Sequence, residues 1–391
     1  MDRIDNNKVF CGLDTNTLFQ KMDNNFVYAQ NKEDIIFEPN SEGQMDFALW
    51  VSLIFNANPL GLISKSLNGL VRMLGYVPKS GKGKINEKIK KSLARLEDRM
   101  YLNYNYVDNE YNIVIDLSPQ DGSFFKLYYS NIVKILNLDN YMFDMSEEAR
   151  IKRELIHYKD RTKALYIYCY LLSRMGIKQV DINKSTQNIE VCYPTLEQIS
   201  EDCNVDMKTL RRLLALFEMD GLIYTTNIGN VLLDNVVIPQ TNNYYTTSIS
   251  CLNGTFRYGE VYYLTNGYKV SNYDDTNKKI VRDINDLLSK ATKKLSDATF
   301  NIDSKSIKVL PIFDKMIENN FNNILNSSID TKVNKDDFEL YMEKKLYQKS
   351  KHSKITKNKS LLYLMDRATM PTTLIHYRNT LRGILVLFGL Y

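Results

Sequence analysis

Residues 205–223 read VDMKTLRRLLALFEMDGLI. Leu210, Leu214 and Phe217 recur at spacings of four and three, which gathers them on one face of a helix. Asp206 stands where an N-cap carboxylate would accept the free amide groups of the first turn. That leaves Lys208, Thr209, Arg211 and Arg212 at or near the exposed amino-terminal half, and at Ile223 the pattern passes into a strand.

The pattern occurs twice. Ile89, Leu93, Leu96, Glu97 and Leu102 precede Leu210, Leu214, Phe217, Glu218 and Ile223 by a constant 121 positions. Upstream of the first copy, residues 47–54 form a buried helix ended by Pro59 and Gly61, and residues 66–74 a short second helix. The third helix spans about 86–100, and Leu102, Tyr104 and Tyr106 then alternate with polar residues up to a turn at Asp108-Asn109-Glu110. Ile113 and Ile115 complete a β-hairpin. The second copy repeats the order, with a helix at 160–175, a short helix opening on a Thr195…Gln198 capping box and a third helix at 206–220. A hairpin at 223–239 follows, turning at Asn227-Ile228-Gly229-Asn230. Two Asn-Gly pairs, Asn253-Gly254 and Asn266-Gly267, punctuate a further tyrosine-rich β stretch. The copies differ in one loop: Leu74 to Ile89 spans 15 positions but Cys203 to Leu210 only 7, so the first copy carries an eight-residue basic insertion around Pro78 and Gly83.

The 205–223 stretch closely resembles the recognition helix and first wing strand of bacterial winged-helix DNA-binding domains. The expected fold class is therefore α+β, mainly α with β-hairpin wings: two tandem winged helix-turn-helix domains and a helical carboxy-terminal domain. The expected divisions are an N-terminal arm (1–40), the first winged helix (41–125), a connecting helical segment (126–158), the second winged helix with an extra hairpin (159–268) and the helical domain (274–391). In the last, Ile280, Ile284, Leu287 and Leu288 restore the helical period, followed by helices at 312–325, 338–346 and 361–390.

Charge is segregated. Of a net +5 over 391 residues, the segment 79–99 alone carries +5 and the segment 344–359 carries +7, so the remainder is net acidic. Such segregation is the electrostatic footprint of a polyanion binder. The longest apolar runs, about nine residues at 164–172, fall well short of the ~20 a membrane helix needs. MDRIDNN at the start lacks a secretory h-region, so the expected location is the cytoplasm. Five scattered cysteines and three isolated histidines offer neither a disulfide framework nor zinc-ligand spacing, and no metal or cofactor is expected.

In the second copy Arg211 is the candidate for base reading, since guanidinium can bond guanine bidentately, while Lys208, Thr209 and Arg212 suit backbone contacts. The competing reading pairs Arg211 and Arg212 with Glu218 or Asp220. In the first copy Lys88, Lys90 and Lys91 occupy the equivalent positions and, with Lys82, Lys84 and Arg95, suit phosphate contact; dimerisation is the alternative role of that domain. Asn227 and Asn230 would stand at the tip of the second wing. The 344–359 run, with Lys351 and Lys354, reads as a second phosphate contact, a linker or a site for an acidic partner.

No enzymatic constellation stands out. Gly75…Gly81-Lys82-Gly83 has one residue too many for a P-loop and Gly83 where a magnesium-binding hydroxyl belongs. No histidine pair supports metal-dependent nicking, and His376 reads as a satisfied helical histidine. Tandem winged helices on a mildly basic chain of this size are similar to the theta-type plasmid replication initiators. That resemblance, covering about residues 41–268, implies binding to double-stranded origin repeats, opening of adjacent AT-rich DNA and recruitment of a host helicase or its loader, with homodimers or higher oligomers and no nucleotide hydrolysis. The alternative is a winged-helix transcriptional regulator whose carboxy-terminal third oligomerises or senses a ligand.

Overall fold

The computed structural model describes residues 18–115, 123–138, 156–182, 185–234, 236–238, 242–270, 273–302, 304–327 and 371–389. Its first strand, β1 (Phe19–Asp23), precedes a helix with no face for water. In α1 (Ser41–Asn56) every residue from 43 to 55 is buried, and Asn40 caps the helix by accepting from the amides of Glu42 and Gly43 at 2.9 and 2.8 Å. A helix buried on every side must be enclosed by its neighbours, and the polar Gln44, Asp46 and Ser52 within it need partners there. Next come β2 (Leu62–Lys65), α2 (Leu67–Met73), α3 (Ile85–Asp98), β3 (Leu102–Val107) and β4 (Glu110–Ile115). The three strands form one antiparallel sheet in the order β2, β4, β3. Asp108 and Asn109 turn the β3–β4 hairpin with φ of 51° and 63°, the two-residue geometry that suits strand twist.

The chain continues through β5 (Phe124–Tyr128), α4 (Tyr129–Ile135) and α5 (Arg161–Ser173), the last buried along most of its length. β5 pairs with β1 across a hundred residues. Within 19–37, read above as part of an arm, Met22, Phe26, Val27 and Phe37 are core residues: Phe26 and Phe37 pack on Trp50, and the Tyr166 hydroxyl donates to the Phe37 carbonyl at 2.8 Å.

After the β6 (Gly176–Ile182) and β7 (Ser185–Val191) hairpin, the helices α6 (Leu196–Asp202) and α7 (Met207–Met219) and the strand β8 (Tyr224–Thr226) follow the order of the first copy. The expected 223–239 hairpin does not form. β8 pairs with β11 (Tyr244–Thr246), while β9 (Val231–Leu233) pairs with β10 (Val236–Ile238) and β12 (Lys269–Val270). The Cys192–Tyr245 bridge gives the order Cys192, β11, β8, matching β2, β4, β3. Asn253-Gly254 lies inside a helix, α8 (Leu252–Thr265). The buried Leu252, Phe256 and Gly259 there have helical spacing, and packing on β6, β8 and β11 overrides the turn preference of the pair. Gly259 meets the Tyr244 ring so closely that a Cβ would lie 2.7 Å from it.

The described remainder comprises α9 (Tyr273–Leu295), a β13 (Thr299–Ile302) and β14 (Lys305–Lys308) hairpin, α10 (Val309–Ser327) and α11 (Pro371–Leu387). Ile280, Ile284, Leu287 and Leu288 are buried as their spacing predicts; the helical spacing gives no sign of the β13–β14 hairpin. The expected 338–346 helix lies outside the described residues. The chain divides into two compact units, 1–175 with 196–210 and 176–195 with 211–391, so that Leu210 ends one and Arg211 begins the other. No helix among the described residues is long and apolar enough to cross a membrane.

The 121-residue offset holds at atomic detail. At the end of α3 the Tyr101 amide donates to the Leu96 carbonyl at 3.0 Å, and at the end of α7 Leu222 donates to Phe217 at 2.8 Å. Met100 and Gly221, one offset apart, both take positive φ, 60° and 68°. Glu97 accepts from the Tyr104 amide at 3.3 Å, and Glu218 accepts from Thr225, again one offset on. Glu218 is the more enclosed. Burial pushes its carboxyl up to about 7, against the bonds from Thr225 and the charge of Arg378, and its Oε1 has no hydrogen-bond partner. His376 on α11 is helical but not satisfied: its Nδ1 has no partner and burial pushes the ring down to about 4.

Met100 is 87% exposed and gains nothing from its side chain to offset the left-handed backbone, so Met100→Gly should raise the unfolding free energy by about 0.5–1 kcal/mol in urea titrations. Glu218 is raised from 4.5, so its stabilising protonation is complete below about pH 4.5 and is lost as pH rises through about 7. His376 is lowered from 6.5 and acts in the opposite sense, losing stability as pH falls through about 4. Relative to wild type, Glu218→Gln should gain stability as pH rises across its window and His376→Gln as pH falls across its own. Each gain should amount to a few kcal/mol, since a tenfold change in a proton-binding constant on folding is worth about 1.4 kcal/mol.

Candidate nucleic-acid interface

α3 is held by its buried face and presents its charges on the other. Ile89, Leu93 and Leu96 are fully buried, and a period of 3.6 places Lys88 and Lys90 on the two shoulders of the exposed face with Lys91 between them. Lys82, Lys84, Lys88 and Lys90 are exposed and have no ion-pair partner among the described residues. Lys91 pairs with Glu87 one turn earlier at 3.1 Å. Glu87 also accepts from the Gly83 amide, and these two partners hold its carboxyl below the ordinary value.

Arg95 departs from the set. Its guanidinium clasps Asp46 with Nε at 2.8 Å and Nη2 at 2.7 Å, and the Ser92 hydroxyl adds a third bond to the same carboxylate at 2.6 Å. Asp46 is 1% exposed in the middle of α1. A buried carboxylate is tolerated only when paired and hydrogen-bonded, so Arg95 tethers α3 to α1 and its fork is not available to a phosphate.

The basic loop before α3 is held by a residue that carries no charge. Asn86, buried at the start of α3, accepts from the Lys79 amide at 2.9 Å and donates to the Asn68 side chain of α2 at 3.1 Å. Gly81 and Gly83 take φ of 120° and 72° in the same loop. The loop is thus fixed through its backbone while the side chains of Lys79, Lys82 and Lys84 stay exposed. Composition could not single out Asn86; the only clue was its place at the first turn of the helix.

On α7, Asp206 caps the helix, accepting from the Thr209 amide at 2.9 Å and from its hydroxyl. Those bonds hold the carboxyl below its ordinary value and occupy Thr209. Lys208 and Arg211 are exposed and Arg212 is half-buried. Glu218 faces Thr225 and Arg378, not Arg211. Towards its end α7 approaches α11: a Cβ on Gly383 would lie 2.9 Å from the Met219 Cγ and 3.2 Å from the Ala215 carbonyl. Lys208 and Arg211 are the exposed residues of α7, with Met207, Thr209, Arg212, Ala215 and Glu218 half-buried.

Asn227 and Asn230 do not turn a local β-hairpin. They lie in the connection from β8 to β9, where Ile228 is buried and the Asn227 side chain accepts from the Gly229 amide at 3.2 Å. Lys351 and Lys354 lie outside the described residues. No protein-family model, curated protein or solved structure matches the chain.

The two kinds of cation should separate experimentally. Arg95→Ala leaves Asp46 buried and unpaired and should lower the unfolding free energy by about 3 kcal/mol, with salt elution from a heparin column unchanged while the chain is folded. Lys88→Gln should advance elution with no change in the urea midpoint.

Proposed function

We propose that the chain is a sequence-specific, non-enzymatic binder of double-stranded DNA that acts as a replication initiator, using two winged-helix domains. The observation that carries this reading is the free cations of α3 and its preceding loop, fixed by Asn86 and by the Asp46 clasp beside the β3–β4 hairpin. The order of helices and strands in both copies, with Cys192, β11 and β8 repeating β2, β4 and β3, supports the winged-helix assignment.

In this reading α3 and its loop grip phosphates, since ammonium groups act as point charges and tolerate any sequence. Arg211, exposed near the start of α7, reads a base edge, with Lys208 on the backbone beside it. Initiation rests on the duplicated domains, the charge segregation and the resemblance to theta-type plasmid initiators. In that role the protein engages repeated sites as a homodimer or higher oligomer in the cytoplasm and recruits a host helicase or loader.

The test is binding to duplexes from the DNA flanking its own gene against length-matched random duplex, titrated in salt. Each phosphate-contacting lysine removed should lessen the slope of log K against log salt by about 0.9, so Lys88→Gln/Lys90→Gln should lose affinity equally for both duplexes. Arg211→Ala should erode the preference by about 1–3 kcal/mol. Equal affinity of the wild type for both duplexes at physiological salt defeats the reading. Specific binding without maintenance of a minimal plasmid carrying the gene and its flanks marks a transcriptional regulator instead.

A further inference from the structure

The two-stranded β1–β5 ribbon has one face in the core and one in water. Met22, Phe125 and Leu127 point inward and are buried. The opposite face carries Phe19, Lys21 and Asp23 on β1 and Phe124, Lys126 and Tyr128 on β5. All three aromatic rings there are exposed, Phe19 at 39%, Phe124 at 44% and Tyr128 at 36%. A ribbon needs only its inner face to be apolar, so three rings on the outer face have no folding role that burial explains.

The register arranges them in rungs. Phe19 lies opposite Tyr128, with ring centroids 5.7 Å apart, and the next rung sets Lys21 directly opposite Lys126. Like charges facing each other across a strand pair are destabilising, and neither ammonium has an ion-pair partner among the described residues. Each leans away over a diagonal ring, Lys21 over Phe124 at 4.6 Å and Lys126 over Phe19 at 5.2 Å. The one carboxylate on this face, Asp23, is engaged in accepting from the Asn25 amide at 2.8 Å. Exposed rings thus flank a pair of ammonium groups with no ion-pair partner among the described residues, with rungs ~6.6–6.8 Å apart along the strands.

We infer that the outer face of the β1–β5 ribbon binds single-stranded nucleic acid, with bases stacked on Phe19, Tyr128 and Phe124 and a phosphate bridging Lys21 and Lys126. Ring faces receive unpaired bases and cannot reach the stacked bases of a duplex. The face offers no carboxamide or guanidinium to read base edges, so binding is tolerant of sequence. An acidic peptide would satisfy the lysines but leave the three rings without a role. This site is separate from the α3 and α7 cations, and its ligand differs from the duplex proposed for them.

The experiment is fluorescence anisotropy of the full chain with labelled oligothymidylate and oligouridylate, and with polyglutamate as the acidic control. Phe19→Leu/Tyr128→Leu keeps an apolar strand surface while removing two stacking faces, and should weaken oligothymidylate binding about 5- to 100-fold per ring with an unchanged urea midpoint. Lys21→Gln/Lys126→Gln keeps the rings and should lessen the salt slope by about 0.7 per lysine. Oligouridylate bound as tightly as oligothymidylate supports a site that ignores the sugar; a preference for either assigns the site to that nucleic acid. Photocrosslinks from 5-iododeoxyuridine should map to Phe19, Phe124 or Tyr128. The inference is overturned if the wild type fails to bind oligothymidylate at low salt, if the ring variant binds it undiminished, if crosslinks map only to α3, or if polyglutamate binds as tightly. Because the duplex titration is scored on other residues, failure of this site leaves that result standing, and the reverse.

Discussion

A carboxylate sits within the most thoroughly buried helix among the described residues, and much of the first unit follows from neutralising it. Asp46 cannot remain in the interior of α1 unpaired, and its partners, Arg95 and Ser92, both lie on α3. That three-bond contact fixes the rotation of α3 about its own axis. With the apolar face of Ile89, Leu93 and Leu96 turned inward, Lys88 and Lys90 are left exposed to solvent. A buried polar contact of this kind contributes more to uniqueness of packing than to net stability. Here uniqueness decides which charges a polyanion would meet.

The two copies show one local design under different degrees of enclosure. Both third helices end in the same reversed turn and both use a glutamate to accept an amide seven residues on. Both glutamates are half-buried as residues, but burial of the Glu218 carboxyl, near Arg378 of α11, makes it a weak acid. The helix surface diverges in parallel. α3 keeps Lys88, Lys90 and Lys91 exposed, whereas α11 approaches α7 at Ala215 and Met219.

What was legible in the sequence was what is set locally. The apolar spacing of α3 and α7, the Asp206 cap and the Asp108-Asn109 turn all lie within a few residues of the groups they organise, and all are found where the pattern put them. Strand partners were not legible when the partner is remote. Turn-forming residues at 227–230 suggested a local hairpin, but β8 meets β11 instead, and β1 and β5 pair across a hundred residues with no local signature. The role of Arg95 was hidden for the same reason, since a basic residue on a basic helix looks like its neighbours until the Asp46 carboxylate 49 residues away is in place. Asn253-Gly254 misled because tertiary packing of Phe256 and Gly259 outweighs the preference of a dipeptide.

The loop from Lys79 to Lys84 is anchored entirely through main-chain groups, by Asn86 and by the conformations of Gly81 and Gly83. Its lysine side chains therefore carry no structural duty. Positive charge beside α3 can be added, removed or moved without repacking the domain, so electrostatic strength and folding are independently adjustable at this place in the chain.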